Sequence, residues 1–128
     1  MTELDPEDLK LVTLARGAQL RAYAPHTQQP EGAAVRDTDG RTYAAGTVEN
    51  ADPALTTSAL RGAVAAAASS GARSFEGAVV MVREPRTFDA SSVIRVREQD
   101  LAILREFGTG VAVIVVDPAG VVHEARTT

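Results

Sequence analysis

The amino-acid sequence predicts a layered α/β domain with a mixed sheet. Short apolar runs that read as buried strands, residues 78–82 and 111–116, alternate with stretches of helical period. Asp39-Gly40, between two further strand candidates, is a hairpin signal and adds an antiparallel pair. At 128 residues the chain fits one domain with a single core, spanning residues 1–128.

Asp5 can N-cap a first helix, Pro6 suits its first position, and Glu7 and Asp8 favour the positive end of its dipole. Leu4 and Leu9 stand at the spacing of a hydrophobic staple. Leu11, Leu14, Ala15, Ala18 and Ala22 fall on one face, and Pro25 ends the helix near residues 21–23. Residues 32–37 and 42–48 are the hairpin strands, and residues 49–57, with Asn50, Asp52 and Pro53, read as a loop. Thr57 or Ser58 can cap a second, alanine-rich helix that runs to about Ser70 and stops at Gly71. Residues 78–82 form a strand covered on both faces, and residues 83–93 a polar connection. A third helix over residues 98–107 is closed by Gly108, and residues 111–116 form another buried strand. Asp117-Pro118-Ala119-Gly120 then turns the chain into a last strand, residues 121–125.

Composition narrows the function. The chain has no cysteine, so thiolate chemistry and every Cys-based metal site are ruled out. A formal net charge of −4 provides no basic field for a nucleic-acid backbone. A small soluble ligand or another protein chain is the better partner. The longest apolar run is too short to span a bilayer, and the acidic start lacks the marks of a signal peptide. A cytoplasmic location without membrane contact is expected.

Three segments in order carry a family resemblance. They are Tyr23-Ala24-Pro25-His26-Thr27 with Pro30-Glu31-Gly32-Ala33-Ala34, then Asp39-Gly40-Arg41-Thr42-Tyr43 with Gly46-Thr47-Val48-Glu49-Asn50-Ala51, then Ser58-Ala59-Leu60-Arg61. The set resembles the small single-domain cytidine deaminases, whose pattern runs YAPYS, PVGAA, DGRIY, G-C-N-V-E-N-A and C-A-E-R. Leu104-Arg105-Glu106-Phe107-Gly108 matches the family's end of helix three. The resemblance implies a three-layer α/β/α sandwich around a five-stranded mixed sheet. It also implies a zinc hydrolase, with one metal ligand from C-A-E-R and two from P-C-x-x-C at two helix N-termini. There a metal-bound water attacks C4 of cytosine while the motif's Glu shuttles the proton.

The departures from this pattern decide the reading. Ser58 stands at the first ligand position and Leu60 at that of the proton-shuttling Glu. Counting back from Gly108 sets Arg97 and Asp100 over the two cysteines of P-C-x-x-C. The aromatic that packs on the pyrimidine corresponds to Gln29. The Asn and Glu that hold the ribose correspond to Thr47 and Glu49, so only the carboxylate survives. Ala59, whose backbone would meet the pyrimidine edge, and Arg61, which in the family neutralises a zinc-bound thiolate, are retained. Glu49 is equally readable as an ordinary loop carboxylate, and His26 as a loop residue without a catalytic part.

The expectation is a pseudoenzyme without zinc, acting through a vestigial nucleoside-like ligand site or through partner subunits, as a homodimer or homotetramer. The alternative is an active cytidine deaminase or related hydrolase with a rebuilt non-Cys metal site, in which Ser58, Asp100, Glu49 and a His would converge. A purely structural or regulatory protein with a filled pocket is the third reading. A vacated metal position between two helix N-termini leaves N–H groups pointing inward. Asp100 and Ser58 are expected to supply polar contacts there. Arg97 should pair with Asp100 or Glu49, plug the pocket, or turn to solvent.

Overall fold

A computed structural model describes residues 4–83 and 97–128 of the chain. Helix α1 (Pro6–Leu20) begins where Asp5 caps it, the Asp5 carboxylate accepting the Asp8 amide at 2.8 Å. Strands β1 (Gly32–Asp37) and β2 (Thr42–Gly46) form the hairpin. A 3₁₀ turn (Pro53–Leu55) interrupts the following loop and leads to α2 (Ala59–Ser69). Then come β3 (Phe75–Met81), α3 (Glu98–Arg105), β4 (Ala112–Val116) and β5 (Val122–Thr127). Past Arg83, the expected polar connection between β3 and α3 lies outside the described residues.

The sheet order is β2-β1-β3-β4-β5, with β3 and β4 parallel and the other neighbours antiparallel. Alternation along the central strands sorts their side chains to two faces. Ala34, Val79, Met81 and Val116 pack with Leu11, Val12 and Ala15 of α1. Ala33, Val35, Ala78, Val80, Val113 and Val115 pack on the other side with Leu60, Val64, Leu101 and Leu104 of α2 and α3. Phe75 and Phe107 meet edge to face at 5.5 Å within that second cluster. The result is a three-layer α/β/α sandwich around a mixed five-stranded sheet, as the resemblance implied.

Local departures have physical reasons. Val12 is buried on α1 while Leu14 is exposed, because the stripe facing the sheet runs through positions 11, 12, 15 and 18. Leu4 packs against the α1 cluster, while Leu9 stays outside the buried core. Strand β3 starts at Phe75, before its apolar run, because Phe75 and Gly77 pair with Asp37 and Arg36 of β1. Val48 leaves the β2 ladder and forms single bridges with Tyr23 and Thr57. Gly71 ends α2 in a left-handed conformation (φ 104°). Its amide bonds to the Ala68 carbonyl and that of Ala72 to the Ala67 carbonyl.

The contact of α1 with the sheet depends on glycine. A Cβ built on Gly32 would lie 2.0 Å from the Ala15 carbonyl oxygen and 2.5 Å from the Gln19 nitrogen, both backbone atoms of α1. Strand β1 therefore meets the helix backbone directly.

Both hairpins are closed by the same device. Asp37 Oδ1 accepts the amides of Asp39 and Arg41 at 3.0 and 2.9 Å, and its Oδ2 accepts the Tyr43 hydroxyl at 3.3 Å. Asp117 Oδ1 accepts the amides of Ala119 and Val121 at 2.9 and 3.1 Å, and its Oδ2 lies 2.8 Å from His123 Nε2. Burial pushes the Asp117 carboxyl up, but the His123 and backbone hydrogen bonds outweigh it and hold the group below its ordinary value. A lowered value means the native state binds fewer protons than the unfolded chain. This stabilisation is therefore complete above the unfolded carboxylate value of about 3.9 and is lost as pH falls through the lowered native value. Asp117→Ala should cost about 1–3 kcal/mol at neutral pH. Urea melts should show the difference from wild type shrinking in acid; a difference independent of pH would contradict this origin.

Candidate functional site

The site is built where the N-termini of α2 and α3 meet. Ser58 precedes α2 in extended conformation, and its Oγ accepts the Arg61 amide at 3.2 Å. The same hydroxyl donates to Asp100 Oδ1 at 2.7 Å. Asp100 lies in the first turn of α3, where a carboxylate suits the helix dipole, and is only 3% exposed. Arg97 occupies the N-cap position of α3 and makes no side-chain cap. Its guanidinium reaches across to Glu31 in a two-pronged pair, Nη1 to Oε1 at 2.8 Å and Nη2 to Oε2 at 3.0 Å. Nη1 also lies 3.7 Å from Asp100 Oδ2. The hydrogen bonds it donates to Glu31 raise the Arg97 value further, against the opposing effect of burial. Glu31 is fixed from behind, since Thr47 Oγ1 accepts its amide at 3.1 Å and donates to its carbonyl at 3.3 Å.

Glu31, Thr47, Ser58 and Arg97, but not the buried Asp100, line an open cleft of about 660 Å³ together with His26, Thr27, Gln29, Glu49, Asn50 and Gln99. Glu49 is buried and committed. Its Oε1 accepts the amides of His26 and Thr27 at 2.9 and 3.1 Å, and its Oε2 accepts the Thr27 hydroxyl. The Thr27 hydroxyl bond, with those amides, holds the Glu49 carboxyl below its ordinary value despite burial. Its work here is to fold the loop after α1 against the cleft.

The structure therefore brings Ser58, Arg97 and Asp100 together, and it sets Gln29, Thr47 and Glu49 on the same cleft. Ala59 and Leu60 do not line it; both are fully buried in the core beneath α2. Arg61 is exposed, does not line the cleft, and has no ion-pair partner among the described residues. Of the two carboxylates expected for Arg97, Asp100 does lie against it at 3.7 Å and Glu49 does not, being turned to the loop; the closer, two-pronged pair is with Glu31. Glu31 was the residue missed. Its signal was visible as an acid inside Pro30-Glu31-Gly32-Ala33-Ala34, where the resembled pattern carries valine.

Zinc requires several lone-pair donors from thiolate, imidazole or carboxylate. The three positions offer a neutral hydroxyl, a guanidinium and one carboxylate. A guanidinium is a permanent cation with no lone pair to give, and the Asp100 oxygens already face Ser58 and Arg97. This donor set does not fit zinc. Among the described residues no three His, Cys, Asp or Glu side chains are grouped to hold a metal ion.

Comparison with known proteins agrees with the fold. A family model described as cytidine deaminase-like matches residues 4–120. A cytidine deaminase of Sporosarcina psychrophila is 36% identical over 72 residues, 56% of this chain and 53% of that protein, so the match spans about half of the relative's length. The crystal structure of cytidine deaminase from Burkholderia pseudomallei superposes with a TM-score of 0.78 at 27% identity, covering 100% of this chain and 92% of that one. That of the Mycobacterium leprae enzyme gives 0.75 at 22% identity, over 96% and 94%, a likeness of fold. With the family model covering nearly the whole chain, the protein belongs to the cytidine deaminase-like family.

Proposed function

We propose that this protein has given up deamination and keeps the cleft to bind a nucleoside-like small molecule. The observation that carries the proposal is Leu60. At the position the resemblance gives to the proton-shuttling Glu, it is 0% exposed and packed in the core, with no group that can hold or pass a proton. The unsuitable donor set at Ser58, Arg97 and Asp100 supports the same reading, and a resident zinc is not expected. A thermal-shift panel of cytidine, deoxycytidine, uridine and their free bases tests the binding half. Saturating nucleoside should raise Tm by several degrees, since ligand at 100 Kd contributes about 2.7 kcal/mol. No shift with any of them at millimolar concentration would leave partner subunits as the role of the fold.

Self-association is the second part of the proposal. Leu20, Tyr23, Val48 and Leu55 are exposed near the C-terminus of α1 and the loop after β2, and Tyr23 and Val48 are joined by a bridge. Ala65 and Ala66 face outward on α2. Symmetric dimers are the commonest way to cover such surface. Light scattering should report a dimer or tetramer, and a monomer throughout the micromolar range would contradict it.

A further inference from the structure

We infer that Glu31, Arg97, Asp100 and Ser58 form a metal-free clasp that joins the N-termini of α2 and α3 to the entry of β1, at the place where the family resemblance sets three zinc ligands. Hydrogen bonds and one ion-pair contact connect them in turn. Thr47 holds the backbone of Glu31, the Glu31 carboxylate takes both Nη groups of Arg97, Arg97 lies against Asp100, and Asp100 accepts the Ser58 hydroxyl that caps α2.

Two of the departures from the family pattern are each other's partners. Arg97 stands for a cysteine and Glu31 for the valine of PVGAA, and each supplies the other's closest counter-charge. Arg97 without Glu31 would keep only the 3.7 Å contact with Asp100 to offset its charge beside a helix N-terminus, where a cation is unfavourable. Glu31 without Arg97 would be a largely buried carboxylate with no counter-charge, its side chain being 14% exposed. The charge also closes. A dication held by three thiolates carries one net negative charge, and so does one guanidinium held between two carboxylates. The clasp thus keeps the electrostatic balance of the junction with side chains alone. This inference takes the ligand positions from the resemblance and does not depend on whether the cleft binds a small molecule.

The test has two arms. The melting temperature of the wild-type protein should be the same before and after treatment with a strong chelator; a fall of several degrees that added zinc restores would overturn the clasp. Ser58→Cys, Arg97→Cys and Asp100→Cys combined should convert the junction to a metal site. That variant should bind one zinc per chain and lose several degrees of Tm to chelator. A folded variant that takes up no zinc would show that the three positions do not converge. Should it not fold with or without zinc, Glu31→Gln, Arg97→Gln and their double variant decide. The double variant should lose less Tm than the two single losses together, and strictly additive losses would overturn the clasp.

Discussion

Gly32→Ala should destabilise the fold by about 3 kcal/mol or more, at the upper end of what overpacking costs. The added methyl would sit 2.0 Å from one backbone atom of α1 and 2.5 Å from another. A flexible side chain could move aside, but a helix backbone cannot move without its whole length. Strand β1 lies between β2 and β3, so it cannot retreat either. The helix must lift off the sheet and expose the cluster around Leu11, Ala15 and Met81. Urea unfolding measures the loss. A change below about 1 kcal/mol would mean that α1 rides on the sheet less closely than the contact distances require.

Leu60→Ala should cost about 2–5 kcal/mol, the range for truncating a fully buried leucine. Leu60 is among the largest completely buried side chains and packs between α2 and the sheet. Leu60→Glu is the more telling change, because it puts back the residue type the resemblance expects. A carboxylate there would be buried in the apolar cluster that also holds Val64, Val80 and Leu101, so it should cost at least as much as the alanine and restore no turnover. A stable Leu60→Glu protein would mean that this position opens to the cleft.

Much of this fold was legible because its signals are local. The α1 cap at Asp5, the Asp39-Gly40 turn and the Gly71 stop each depend on a few neighbouring residues, and each stands where the sequence sets it. Strand ends were less legible. Phe75 joins β3 through pairing with Asp37 of β1, a contact between segments nearly forty residues apart. The site followed the same division. Ser58 and Asp100 could be proposed as neighbours because a motif set them there. The Glu31–Arg97 pair spans 66 residues and arises from tertiary placement. Glu49 illustrates the limit of reading residue type alone, since a carboxylate suited to a sugar hydroxyl spends its oxygens on Thr27 and His26.

The proposed loss of catalysis is tested most directly by ammonia release from cytidine, using purified protein supplemented with zinc at concentrations high enough to reveal slow turnover. No release above the protein-free background is expected, with or without zinc. Release proportional to protein concentration, persisting through repurification and abolished by a chelator, would contradict it.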